Sequence, residues 1–222
     1  MTYEDFTTYT EDDPNSRVSV YKNEIDVVDL ARNEVAHVYK DFGTDYFKTF
    51  THKVDAKPVS GEAFAGGNVG AGVFWMVYNS ANRYYILLEF YCPSYIFLLS
   101  SMSDGTHSDY YNGYSYGTMY YFTILRTDTE ATAKIYSDSA RTNLIDTLTV
   151  PVDSGLTFDY LYAMSGVRYP VFTAKISYNI YNLDIGLKKP VFTKHGFIEG
   201  YARRKQKTIQ GIDLRNFVRK GY

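Results

Sequence analysis

Between Gly117 and Val150 the sequence GTMYYFTILRTDTEATAKIYSDSARTNLIDTLTV alternates apolar and polar residues in three short runs. The runs are carried by Tyr121-Thr123-Leu125, by Ala131-Ala133-Ile135 and by residues 144–150. Polar turn chemistry at Thr127-Asp128 and Ser137-Asp138-Ser139 separates them. Period-two alternation punctuated in this way demands antiparallel strands with one wet face. Similar signals recur through the chain. RVSVYKNEIDVVDL (17–30) reads as two strands with a turn near Asn23, and EVAHVYKDF (34–42) and FKTFTHKVDA (47–56) alternate. GVFWMVYN (72–79), YYILLEFY (84–91) and YIFLLSSM (95–102) are nearly continuous apolar runs, expected in a sheet interior covered on both sides. LTFDYLYAMSG (156–166) and VFTAKISYNIYNLDIG (171–186) follow, and no 3.6-residue apolar pattern appears before Lys188. The pattern predicts an all-β, two-sheet antiparallel β-sandwich with a C-terminal extension.

Composition narrows the class further. A hydrophobic content of 45% supports a large core, and the single cysteine, Cys92, cannot form an internal disulfide and reads as a buried structural thiol. The acidic start MTYEDFTTYTEDD lacks the basic and apolar segments of a signal peptide, and no apolar run reaches membrane-spanning length. A net charge of -2 conceals a division. Residues 1–187 hold 13 Lys/Arg against 23 Asp/Glu, or -10, while residues 188–222 hold 10 against 2, or +8. The expected organisation is an acidic lead (1–16), a sandwich (17–187) and a basic arm (188–222).

The phrase AKIYSDSARTNLIDTLTV (133–150), preceded by Tyr120-Tyr121-Phe122-Thr123-Ile124-Leu125-Arg126, resembles a passage of concanavalin A-like, LamG-type jelly-roll modules. Ala31-Arg32-Asn33-Glu34 with Val38-Tyr39-Lys40-Asp41, and LTFDYLYAMSG downstream, are similar to other lines of such modules, so the resemblance runs from about Asp5 to Gly186. It implies the jelly-roll fold. Modules of this kind serve lectins, glycosidases, adhesins and virion proteins alike, and those phrased this way occur in phage and other virus structural proteins.

Three segments carry candidate chemistry. Glu24-Ile25-Asp26-Val27-Val28-Asp29 resembles the E-[ILV]-D-x-x-E signature of laminarinase-type glycosidases, which implies Glu24 as nucleophile, Asp29 as general acid/base and Asp26 between them. A retaining mechanism needs two carboxyl groups about 5–5.5 Å apart. Asp29 is a methylene shorter than glutamate, Arg32 replaces the motif's usual glutamine or glycine, and the motif lies near the N-terminus on an expected outer strand. A solvated acidic strand face is the simpler reading, so no catalysis is expected. The second segment is an expected loop (103–118) with Asp104, His107, Asp109, Tyr110, Tyr111, Tyr114 and Tyr116, where rings and carboxylates suit either a glycan or a neighbouring subunit. Calcium takes six to eight oxygen ligands. Two loop carboxylates do not specify it, and no other metal or cofactor is expected. Of the histidines His37, His52, His107 and His195, none has a second ligand at metal spacing.

The third segment is the arm, with Arg203, Arg204, Lys205, Lys207, Arg215, Phe217, Arg219 and Lys220. Its charge suits an acidic protein surface better than nucleic acid, because the acidic body would repel phosphate. The sequence therefore points to a non-enzymatic, homo-oligomeric structural or interaction protein, made in the cytoplasm and displayed on a virion as capsid decoration or tail fibre. A lectin-like carbohydrate-binding module is the alternative, and a laminarinase-like glycosidase the third reading.

Overall fold

The alternation becomes fourteen strands in two antiparallel sheets of seven. The computed structural model describes residues 3–31, 33–62, 70–92, 96–102, 106–166 and 174–186, with the short strands at 191–192 and 198–199. In chain order the strands are β1 (Thr10–Asp12), β2 (Val18–Val20), β3 (Glu24–Ala31), β4 (Ala36–Asp41), β5 (Phe50–Gly61), β6 (Gly70–Asn79) and β7 (Tyr84–Cys92). They continue with β8 (Ile96–Met102), β9 (Thr106–Asn112), β10 (Tyr120–Arg126), β11 (Glu130–Tyr136), β12 (Leu144–Pro151), β13 (Tyr160–Gly166) and β14 (Lys175–Asp184). Sheet A has the order β1-β4-β13-β6-β7-β8-β9, and sheet B the order β12-β11-β10-β5-β14-β3-β2.

Aromatic rings fill the space between the sheets. Phe122 of sheet B packs on Phe74 and Phe97 of sheet A, with ring centroids 4.9 and 5.1 Å away. Tyr178 of sheet B packs on Phe90 at 5.3 Å, and its hydroxyl donates to the Val73 carbonyl at 3.1 Å. Gly72 is required beside it, since a Cβ there would fall 2.3 Å from the Tyr178 ring. Pairs of this kind each add about 0.5–1.5 kcal/mol beyond area burial. Along one side the sheet edges are tied together by polar groups. Thr149 N–H donates to Asp109 Oδ2 at 2.9 Å, and Ser101 Oγ donates to the Pro151 carbonyl at 2.7 Å.

Three expectations are revised by these strands. Residues 106–112 form the edge strand β9 rather than part of a loop, paired with β8 from Ile96↔Asn112 to Met102↔Thr106. The acidic lead belongs to the sandwich: Phe6 is fully buried, Tyr9 nearly so, and β1 pairs with β4, because those two rings supply the apolar anchor that the charges obscured. β6 and β7 are not covered on both faces. Met76, Tyr78, Tyr85 and Glu89 are only half-buried on the side away from sheet B.

The chain divides into two compact units, Tyr3–Gly186 and Leu187–Tyr222. Of the second, β15 (Val191–Phe192) and β16 (Ile198–Glu199) pair antiparallel. The arm residues Arg203, Arg204, Lys205, Lys207, Arg215, Phe217, Arg219 and Lys220, like Asp104 and the Cys92 side chain, lie outside the described residues.

His52 sits in this core, fully buried among Phe47, Phe50 and Trp75, and accepts a hydrogen bond from Trp75 Nε1–H at 3.3 Å. Burial holds its imidazole neutral down to about pH 3. An unfolded histidine titrates near pH 6.5, so the unfolded chain gains a proton that the native one refuses, and stability falls as pH drops from there through about 3. Urea unfolding across this range should show His52→Phe flattening the acid slope by up to about 1.4 kcal/mol per pH unit. An unchanged slope would place the acid sensitivity elsewhere.

Candidate functional site

Pairing register aligns side chains across the outer face of sheet B, since residues directly opposite share a face. One row runs Tyr136, Tyr121, Asp55, Tyr181, Glu24 over five successive strands, β11-β10-β5-β14-β3. A neighbouring row runs Lys57, Asn179, Asp26. Glu24 is hydrogen-bonded to the Tyr181 hydroxyl, and Asn179 Nδ2 donates to the Asp26 carboxylate.

Asp55 is the centre of the long row. It is 5% exposed although it points away from the core. Arg141 Nη2 donates to its Oδ1 at 2.6 Å, and Asn182 Nδ2 donates to its Oδ2 at 3.0 Å. Both donors come from left-handed backbone, with φ of 57° at Arg141 and 55° at Asn182. That conformation costs an arginine roughly 1–2 kcal/mol, whereas asparagine adopts it more readily. Asn182 reaches it where the β14–β5 register shifts, between Tyr181 and Asp184. Arg141 reaches it in a turn organised by Asp138, whose carboxylate accepts from the N–H groups of Thr142 and Asn143 and from the Thr142 hydroxyl. Those contacts, the Asn143 N–H first, hold the Asp138 carboxyl below its ordinary range. The turn carries the guanidinium across β10, over the Tyr121 ring at 5.8 Å. Burial pushes the Asp55 carboxyl up, and Asn182 and Arg141 pull it back in part.

The acidic trio flagged in the sequence is split by the sheet. Glu24 and Asp26 project onto the outer face, but Asp29 sits past a register shift in β14 at φ 48°, with its N–H on Ser177 Oγ at 2.9 Å. The four tyrosines of the second candidate segment do not share a platform. Tyr110 is 60% exposed, Tyr111 turns inward onto Phe97, Tyr114 is buried, and the Tyr116 hydroxyl donates to the Gly61 carbonyl at 3.5 Å. Asp109 is engaged at the sheet edge as described, while His107 is exposed. Among the described residues no group of three or more His, Cys, Asp or Glu side chains is placed to hold a metal ion. A shallow depression of about 480 Å³, lined by residues 49–51 and 125–128, lies at the start of β5.

Asp55, Arg141 and Asn182 are not among the residues that the sequence singles out. The one available signal was the spacing of Lys53, Asp55 and Lys57, three charges on the wet face of one strand.

No protein-family pattern matches the sequence, and no curated protein is similar to it in sequence. Solved structures match its shape. A functionally unknown protein from Saccharomyces cerevisiae is similar with TM-score 0.56 and 11% identity, over 83% of this chain and all of that one. The exoplasmic/lumenal domain of VIP36, solved with Ca²⁺ and Man3GlcNAc bound, gives TM-score 0.51 and 9% identity over 84% of this chain and 90% of that one. The fold is a concanavalin A-like β-sandwich. At such identities the likeness concerns fold alone.

Arg141→Met should destabilise the protein by about 3 kcal/mol at pH 7, because it strands a buried carboxylate, the pair's side chains being only 11% and 8% exposed. Losing the cation raises the Asp55 pKa further, so the cost should shrink as acid neutralises the carboxyl. Chemical denaturation at pH 7 and pH 4 checks this, and equal losses at both would mean that Arg141 acts by packing rather than charge.

Proposed function

We propose that the protein is a non-enzymatic carbohydrate-binding module whose ligand lies across the outer face of sheet B. The observation that carries this reading is the Asp55 centre. An arginine held in left-handed backbone and an asparagine at a register shift both fix one nearly buried carboxylate within a row of tyrosines, and an arginine in that conformation marks a candidate functional site. Tyrosine rings offer apolar contact to the C–H faces of sugar rings, and carboxylate, amide and phenol groups suit paired hydroxyls. The occurrence of a bound Man3GlcNAc on the VIP36 domain supports the capacity of this architecture for saccharides. The absence of catalysis is supported by the dispersal of the acidic trio, with Glu24 and Asp26 engaged by Tyr181 and Asn179 and Asp29 off the row. A glycan array should return a saccharide ligand, and Tyr121→Ala should weaken it tenfold or more while the variant still unfolds in a cooperative transition. No ligand, or affinity indifferent to Tyr121, defeats the reading; hydrolysis of the ligand that Glu24→Gln abolishes would make the protein a glycosidase.

A second reading, a surface component of a larger particle such as a virion, is favoured by the charge division of -10 against +8. A basic arm that seeks acidic protein surface would anchor or cross-link subunits. Removal of residues 188–222 should then leave a folded sandwich that no longer assembles, as read by sedimentation and electron microscopy; assembly retained by the truncated chain would refute it.

A further inference from the structure

We propose that the outer face of sheet A is a docking surface for an extended, arginine-bearing segment of a partner protein. The face is built by register, independently of the Asp55 row. Tyr39 lies opposite Tyr162, and Tyr160 opposite Tyr78, which in turn faces Tyr85. The rings touch one another: Tyr39 and Tyr162 stack with centroids 5.2 Å apart, and Tyr162 meets Tyr78 edge to face at 6.1 Å. This ladder crosses four strands, β4-β13-β6-β7, or about 14 Å at a strand spacing near 4.8 Å. An extended segment of about four or five residues covers that distance.

Charge selects the occupant. Among the described residues, positions sharing this face across the seven strands include Asp12 and Asp41, and no lysine or arginine. Among the described residues, Lys40 and Arg83 lie near this face but are placed elsewhere. Lys40 alternates to the opposite side, over the Tyr9 and Phe42 rings and bonded to Glu4, and Arg83 is exposed in the β6–β7 turn at the rim. His37 has Nδ1 at 3.1 Å from Ser165 Oγ, and burial chiefly pushes its imidazole below the ordinary range, against the pull of Asp12. The field over the ladder is negative. Asp41 heads the causes that raise the Tyr160 phenol, with Asp159 also contributing, and Tyr162 is pushed up to about 12 by burial, then by its tyrosine neighbours and Asp159.

Guanidinium is the cation that fits such a surface. It stacks on tyrosine rings, donates to phenol and carboxylate oxygens in fixed geometry and is more weakly hydrated than ammonium. Tyrosine is enriched at protein interfaces. A second copy of this face would bring like charges together.

The test uses the full chain and a fluorescent nona-arginine peptide, with nona-lysine and an uncharged Gly/Ser peptide of equal length, at physiological salt. Nona-arginine should bind at least tenfold more tightly than nona-lysine, and the Gly/Ser peptide should not bind. Asp12→Lys combined with Asp41→Lys should weaken nona-arginine at least tenfold, whereas Glu130→Lys, an exposed charge reversal on sheet B, should change it less than twofold. Equal affinity for arginine and lysine peptides, or equal losses in the sheet A and sheet B variants, overturns the proposal. So does concentration-dependent self-association that the sheet A variant abolishes, since a second copy would then be the occupant. Unfolding midpoints of all variants confirm that losses are not due to misfolding.

Discussion

The contact between Phe122 of sheet B and Phe74 and Phe97 of sheet A sets the register from which both outer faces follow. A strand residue has only two directions available, so once Phe122 points inward Tyr121 and Thr123 must point out. The same argument passes from strand to strand through the pairing. Val54 inside fixes Asp55 outside, and Ile180 inside fixes Tyr181 outside. Shifting one strand by a single residue would bury Asp55 without its partners and expose the aromatic core. The wet faces are therefore consequences of a dry one.

Register alone does not produce a site, however. A strictly alternating sheet presents a plain polar lattice, and the Asp55 centre arises where alternation is broken. The shift in β14 turns Asn182 back toward Asp55, and the left-handed turn at Arg141 brings a charge from the β11–β12 connection across an intervening strand. Each break gives up backbone preference and gains a hydrogen bond to a carboxylate that burial has made demanding. The dependence runs one way: Asp138 and the β14 register shift hold Arg141 and Asn182 in place, and without those two donors the Asp55 charge would be untenable.

What could be read from residues alone follows the same division. Strands with clean alternation, β10, β11 and β12 above all, were legible because burial enforces their period. β9 was not, because THSDYYN carries the small and polar residues of a loop and is held as a strand by pairing with the apolar β8. The lead was misjudged because the charges of Glu11, Asp12 and Asp13 conceal two anchors, Phe6 and Tyr9. The tyrosines of residues 110–116 suggested one platform, yet strand period and the turn that follows send Tyr110 outward and Tyr111 and Tyr114 inward. Asp55 and Arg141 are 86 residues apart. No local pattern could join them, since their meeting depends on the order β11-β10-β5, which is a property of topology rather than of either segment.

The two outer faces differ in a way that neither composition nor net charge reveals. Sheet B mixes signs, with Lys53, Lys57 and Arg141 beside Glu24 and Asp26, so its field is short-ranged and its recognition must come from close, directional contacts. Among the described residues sheet A presents rings, Asp12 and Asp41 without a lysine or arginine at the same face, so their field adds rather than cancels and can steer a charged partner from a distance. Because one core separates the faces, occupying one leaves the other open. On the readings given above, a module built in this way can hold a saccharide on its mixed face while a basic partner holds the module by the other. That would make a two-sided adaptor of a fold whose sheets need share nothing but the aromatic layer between them.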